Sequence, residues 1–173
     1  MAILPKFFAT LCYSGLVKVA PGTVGTLVAC LISLPFAFAG FSFALQAFLY
    51  SSLVATGLGF VYIPKYLSGK TDDMQEIVID EASGVYFTIY LSLLACKFLS
   101  IHKNKNWYIL TIIALSFIFF RIFDITKPLF IGYADRKLKG TFGIMMDDIL
   151  ASVPSCICVC GLMFVIFKYK LLP

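Results

Sequence analysis

Charge is what this chain has least of. Only 13% of its 173 residues are Asp, Glu, Lys or Arg, against 61% hydrophobic, and the mean hydropathy is +0.96. A soluble domain carries roughly 25% charged residues, so the composition excludes that class and indicates one integral membrane domain over residues 1–173. Histidine is nearly absent as well. His102 is the single one, in a short polar break beside Lys103 and Lys105, which disfavours mechanisms built on a histidine base or a phosphohistidine. The six cysteines (Cys12, Cys30, Cys96, Cys156, Cys158, Cys160) form no CxxC pair and lie in or beside apolar segments, where cysteine serves as a small packing residue. No A-x-A-like cleavage site follows the apolar stretch KFFATLCYSGLV. It reads as an interfacial or re-entrant helix, not as a signal peptide.

What is there is a set of apolar runs. A spanning helix needs about 20 predominantly apolar residues, and five runs approach or meet this: Thr23 to Ala39, Phe41 to Ile63, Ala82 to Ile101, Trp107 to Phe123 and Ile149 to Phe167. The first and fourth are short, so the expectation is an all-α polytopic membrane protein with four to five transmembrane helices. Gly40 is the sole break between the first two runs and predicts a tight hairpin. Lys97 and Arg121 sit near run ends, where long side chains snorkel to the interface.

Five spans put residues 64–81, residues 124–148 and the N-terminus on one side, and Gly40, residues 102–106 and the C-terminus on the other. The first side then holds Lys6, Lys18, Lys65, Lys70, Arg121, Lys127, Arg136, Lys137 and Lys139; the second holds Lys97, Lys103, Lys105, Lys168 and Lys170. The positive-inside rule makes the first side cytoplasmic. The net charge of +5 flanks apolar runs and makes no stripe, so it fits anionic lipid and not nucleic acid. The acids divide more sharply. All nine (Asp72, Asp73, Glu76, Asp80, Glu81, Asp124, Asp135, Asp147, Asp148) fall on the predicted cytoplasmic side. This asymmetry predicts a polar site at one membrane face.

Four stretches on that face carry chemistry. SGLVKVAPGTVGTL sets Lys18, Gly22, Thr23, Gly25 and Thr26 just before a predicted helix, where glycines, amides and hydroxyls suit phosphate, although Pro and Gly there also mark an ordinary bend. IVIDEASG puts Asp80 and Glu81 at the start of a span, as partners of the helix dipole or as a metal or proton site. In FRIFDITKPLF, Arg121, Asp124 and Lys127 recur every three residues, so a continuing helix would hold them on roughly one face until Pro128 ends it. Such a trio is a surface ion ladder or a holder of phosphate and its metal. DRKLKGTFGIMMDDILAS brings Asp147 and Asp148 to the threshold of the last run, with Gly140 and Gly143 freeing the backbone ahead of them. Neighbours on a helix lie about 100° apart, so these two cannot face one partner equally. Acids at the ends of three spans, mixed with Arg and Lys, suit magnesium better than zinc, because hard oxygen ligands favour magnesium bridged to phosphate.

PGTVGTL, DEASG, FRIFDITKP and GIMMDDILAS, in this order from about Ser14 to Ser152, resemble the phosphatidylglycerophosphatase A family. Thr26 stands where the family's motif usually has serine, which keeps the hydroxyl. The resemblance implies an all-helical bacterial inner-membrane enzyme that hydrolyses phosphatidylglycerophosphate to phosphatidylglycerol with Mg2+, its active site facing the cytoplasm. It implies Asp124, Asp147 and Asp148 as catalytic acids and Asp80, Glu81, Asp124 and Asp148 as metal ligands. Lys18, Thr23, Arg121, Lys127 and Arg136 become candidates for phosphate contact.

Two other readings compete. A CDP-alcohol phosphotransferase also places aspartates and magnesium at helix ends, but no DG dipeptide and no AR pair occur in this chain. A small ion-coupled transporter keeps ionisable residues near mid-membrane, whereas the centres of all five runs are free of acids. No DxDx(T/V) signature and no cysteine followed five residues later by arginine is present, which leaves metal-assisted attack by water in front of a covalent phosphoenzyme.

Overall fold

A computed structural model of the chain describes residues 3–68, 75–101, 106–128 and 130–169, with the backbone alone at 130 and 134–136. Asp72, Asp73, Lys70, His102, Lys103, Lys105 and Lys170 lie outside the described residues. Those described form seven α-helices and no strand: α1 Ile3–Ala9, α2 Pro21–Phe38, α3 Phe41–Leu67, α4 Ile79–Phe98, α5 Asn106–Thr126, α6 Phe130–Lys137 and α7 Gly140–Lys168, with a single 3-10 turn at Ser14–Leu16. Among the described residues α2, α3, α5 and α7 are long and apolar enough to cross a membrane. The chain is an all-α polytopic membrane protein.

The fifth expected span, α4, is 20 residues long but differs in kind. It packs against α2, α3, α5 and α7, so it is the axis of the bundle and its neighbours shield it from lipid. That position explains its polar content. Ser83, Thr88 and Ser92 are fully buried; Thr88 and Ser92 donate to the carbonyls of Gly84 and Thr88 one turn back, at 2.9 and 2.8 Å. Small hydroxyl residues allow close helix contact without leaving a polar group unpaired in an apolar interior. Ser83 Oγ also meets Thr56 Oγ1 of α3 at 2.6 Å, and Tyr86 donates to the Ala29 carbonyl of α2 at 3.0 Å. The apolar core lies around these bonds, with Ile89, Leu93, Phe48, Ile112 and Phe120 fully buried.

Gly84 marks the tightest approach on this axis. A Cβ there would overlap the Phe120 ring of α5 and touch the Asp148 carbonyl of α7. Overpacking of this kind costs about 1–3 kcal/mol, so Gly84→Ala is expected to lower the detergent unfolding temperature by several degrees, measurable by differential scanning fluorimetry. An unchanged midpoint would mean that α5 and α7 do not close on α4 here.

Three sequence expectations change. The N-terminal stretch is not one helix: α1 ends at Ala9, and Leu11, Cys12 and Tyr13 all take positive φ (42°, 55° and 68°), a left-handed turn that breaks it. PGTVGTL does not precede its helix. Pro21 is the first residue of α2, where its fixed φ and missing amide fit, so Gly22, Thr23, Gly25 and Thr26 lie on the first turns. Asp147 and Asp148 are not at a helix threshold, because α7 starts at Gly140 and carries them about two turns along. The Gly40 hairpin is as expected, with φ 94° between α2 and α3.

Candidate active site

The starts of α2 and α4, the end of α5 and the third turn of α7 meet at one end of the bundle. Asp80 and Glu81 lie in the first turn of α4. Each offers a carboxylate oxygen that, with one from Asp148, forms a group within 4.8 Å of one another. Asp80 is 8% exposed and Asp148 3%. Asp80 Oδ1 and Glu81 Oε2 are buried with no hydrogen-bond partner among the described residues. Three carboxylates this close, largely shielded from water, repel one another strongly, and two of their oxygens lack a donor among the described residues. A cation answers both deficits, and a donor set made only of carboxylate oxygens matches magnesium.

Two cations, Arg121 and Lys127, pair with acids at this end of the bundle. Arg121 Nη1 lies 2.5 Å from Asp124 Oδ2 and 3.8 Å from Glu81 Oε1, and donates to Thr26 Oγ1 at 3.4 Å. Thr26, fully buried, donates in turn to the Gly22 carbonyl at 2.8 Å. Gly22 faces Glu81 and Arg121 so closely that a Cβ would overlap the Glu81 carboxylate. The glycine of PGTVG therefore makes room for an ion pair, while the threonine orients the guanidinium. Arg121 Nε is buried without an acceptor among the described residues.

Asp147 and Asp148 diverge, as adjacent helix positions must. Asp148 joins the carboxylate group; Asp147 Oδ2 accepts from Lys127 Nζ at 2.6 Å, and its Oδ1 accepts from the Asp148 amide at 3.2 Å. Lys127 reaches it by leaving the α5 face. Its φ is +40°, a left-handed conformation forced between a helix end and Pro128, which disfavours continued helix at the residue before it. Arg121 and Asp124 thus share a face as expected, and Lys127 does not. Asp124 is held by Arg121 and stands outside the 4.8 Å carboxylate group. Thr23 is half-buried beside Gly22, Lys18 is exposed just before α2, and Arg136 lies on α6 with its side chain outside the described residues.

Residues 7–163 match the protein family described as phosphatidylglycerophosphatase A. The chain belongs to the phosphatidylglycerophosphatase A family. It is similar to proteins named phosphatidylglycerophosphatase A from Haemophilus influenzae, 34% identical over 157 residues (87% of this chain, 83% of the relative), and from Escherichia coli, 34% over 149 residues (82% and 73%). A Bacteroides thetaiotaomicron protein bearing the name "Putative phosphatidylinositol-3-phosphatase" is also 34% identical, over 160 residues (91% and 92%). No solved structure matches the chain.

Membership makes the chain a phosphatase, and the family's motif residues fall where the carboxylates and cations meet. Sequence reasoning passed over one member of this arrangement. The sequence offers the Thr26 hydroxyl as a phosphate donor in place of serine's, whereas in the structure it carries the contact between α2 and Arg121. The three-residue step from Gly22 to Gly25, with Thr26 next to it on the same helix face, is the signal that could have found it.

Proposed function

We propose that the enzyme hydrolyses the terminal phosphate monoester of phosphatidylglycerophosphate at the cytoplasmic leaflet of a bacterial inner membrane, with Mg2+, releasing phosphatidylglycerol and phosphate for phospholipid synthesis. The observation that carries this reading is the largely shielded Asp80, Glu81 and Asp148 group, with Arg121 on Glu81 and Lys127 on the neighbouring Asp147, at one end of a membrane bundle. The family and the names of its Haemophilus and Escherichia relatives support the substrate.

In this reading Asp80, Glu81 and Asp148 hold the metal, which supplies charge neutralisation for phosphoryl transfer to water. The chain's own groups do the rest. Arg121, anchored by Thr26 and Asp124, offers its Nε–H to a phosphoryl oxygen and stabilises charge on the equatorial positions. Lys127, tethered by Asp147, adds a second cation, and Lys18 and Thr23, at the start of α2, are the next candidates for contact with the headgroup. Asp124 and Asp147, each held by a cation, are the candidates to accept the proton of the attacking water. The apolar exteriors of α2, α3, α5 and α7 keep the diacylglycerol moiety in lipid while the headgroup reaches the polar end.

The substrate test is a panel of purified lipids in detergent micelles. Phosphatidylglycerophosphate should give a kcat/KM at least about tenfold above phosphatidylinositol 3-phosphate, a difference of about 1.4 kcal/mol in transition-state binding. The reverse order would assign the headgroup chemistry named for the Bacteroides relative. Release of phosphate from neither would end the proposal.

A further inference from the structure

The start of α4 lacks the usual means of fixing a helix end. Its N-cap, Val78, has no side-chain cap, although the first turn carries two buried carboxylates whose positions decide whether a cation is held. Something upstream must hold it, and the described residues show what does. Tyr66, buried in the last turn of α3, donates its phenol hydrogen to the Glu76 carboxylate. Glu76 lies four residues before Asp80. Between them Ile77, Val78 and Ile79 are buried at 5%, 0% and 3% exposure, and the Val78 amide donates to the Ala9 carbonyl of α1 at 3.0 Å.

The packing around this segment leaves no slack. A Cβ on Gly15 would overlap the Glu76 carbonyl oxygen, and one on Gly25 would overlap the Val78 side chain. The Val78 carbonyl then accepts from the Ala82 amide at 3.2 Å, closing the first turn of α4. Glu76 thus engages a phenol belonging to a different helix.

We infer that Tyr66 and Glu76 are positioning residues for the carboxylate site: their hydrogen bond ties the end of α3 to the chain entering α4 and sets the register of Asp80 and Glu81 against Asp148. This rests on the reading of those three acids as the metal-holding group. A charge-assisted bond of this kind is directional as well as strong, so it adds a constraint on the rotation of the segment to the apolar packing of Ile77 and Val78. Groups that orient metal ligands from outside the ligand set typically change metal affinity by about 10- to 100-fold when removed.

The experiment measures Mn2+ binding to the full-length protein in detergent by electron paramagnetic resonance, with unfolding temperature and phosphatase activity recorded on the same samples. Tyr66→Phe and Glu76→Ala are expected to weaken Mn2+ binding about tenfold and to raise the metal concentration at half-maximal activity in parallel, with kcat at saturating metal within about threefold of wild type. Glu76→Gln, whose amide oxygen still accepts from the phenol, is expected to retain affinity within about threefold. Mn2+ binding as tight as wild type in both Tyr66→Phe and Glu76→Ala would overturn the inference, as would a lower unfolding temperature with unchanged affinity, which is the signature of packing alone. Asp148→Asn separates this from the underlying reading. If wild-type Mn2+ binding survives that substitution, the acid site itself is wrong; if it is lost while Tyr66→Phe binds normally, the positioning role alone fails.

Discussion

Asp148→Asn is expected to lower kcat by at least about a hundredfold while leaving the protein folded and as stable as wild type, or more so, in metal-free buffer. The two halves of this result have one cause. Asp148 is 3% exposed and shares a 4.8 Å group with Asp80 and Glu81. Without a cation, the three carboxylates oppose folding through mutual repulsion and lost hydration. Asparagine keeps the shape and removes one charge, so the apo fold is relieved. On the proposed reading the same change removes a metal ligand, and losses of this size follow when the cation that offsets developing charge is lost from a phosphoryl-transfer site. Stability that rises as activity collapses marks a group kept for function at the expense of the fold. Phosphate release paired with thermal unfolding of the same purified sample checks it. Near-normal turnover would remove Asp148 from the site.

Arg121→Ala is expected to act in the opposite sense on stability, with a loss of about 3 kcal/mol together with loss of activity. Arg121 answers Asp124 at 2.5 Å and Glu81 at 3.8 Å, with both partners' side chains at 13% exposure. Removing one member of a largely buried ion pair leaves an uncompensated charge, which costs about 3–5 kcal/mol; two such acids would be left here, and the low end allows for residual hydration. Lysine is not an adequate substitute, because the guanidinium also reaches Thr26 and only a planar fork serves several partners at once. Adding Glu81→Gln to Arg121→Ala should recover part of the stability, about 1 kcal/mol or more by a double-mutant cycle, without restoring turnover. Additive losses in that cycle would show that Arg121 and Glu81 do not interact.

Much of the fold is legible in the hydropathy pattern, because a bilayer demands long apolar helices and little else satisfies the backbone. The Gly40 hairpin and the end of α5 before Pro128 follow from local backbone rules. The start of α7 does not. Gly140 to Met146 contains two glycines and no long apolar run, so helix there is a consequence of packing against α6, and without it Asp147 and Asp148 read as a helix threshold. The role of α4 was likewise hidden, since hydropathy grades a segment by its own residues and not by the four helices that surround it.

The site shows the same division. Gathering the acids at one end follows from counting spans, and the divergence of Asp147 from Asp148 follows from helix geometry. Pairings across distant segments carry no such signal. Lys127 meets Asp147 only because a left-handed residue redirects the chain after α5, and Tyr66 meets Glu76 across a connection whose length says nothing of its path. Both contacts depend on tertiary placement that periodicity does not encode.

On the proposed reading, the Asp80, Glu81 and Asp148 carboxylates hold the cation on which hydrolysis depends. The most direct test is phosphate release from phosphatidylglycerophosphate by the purified enzyme, first stripped with EDTA and then titrated with Mg2+. No measurable release is expected after stripping, with saturable recovery as Mg2+ returns. Release that proceeds equally well before and after chelation would contradict it.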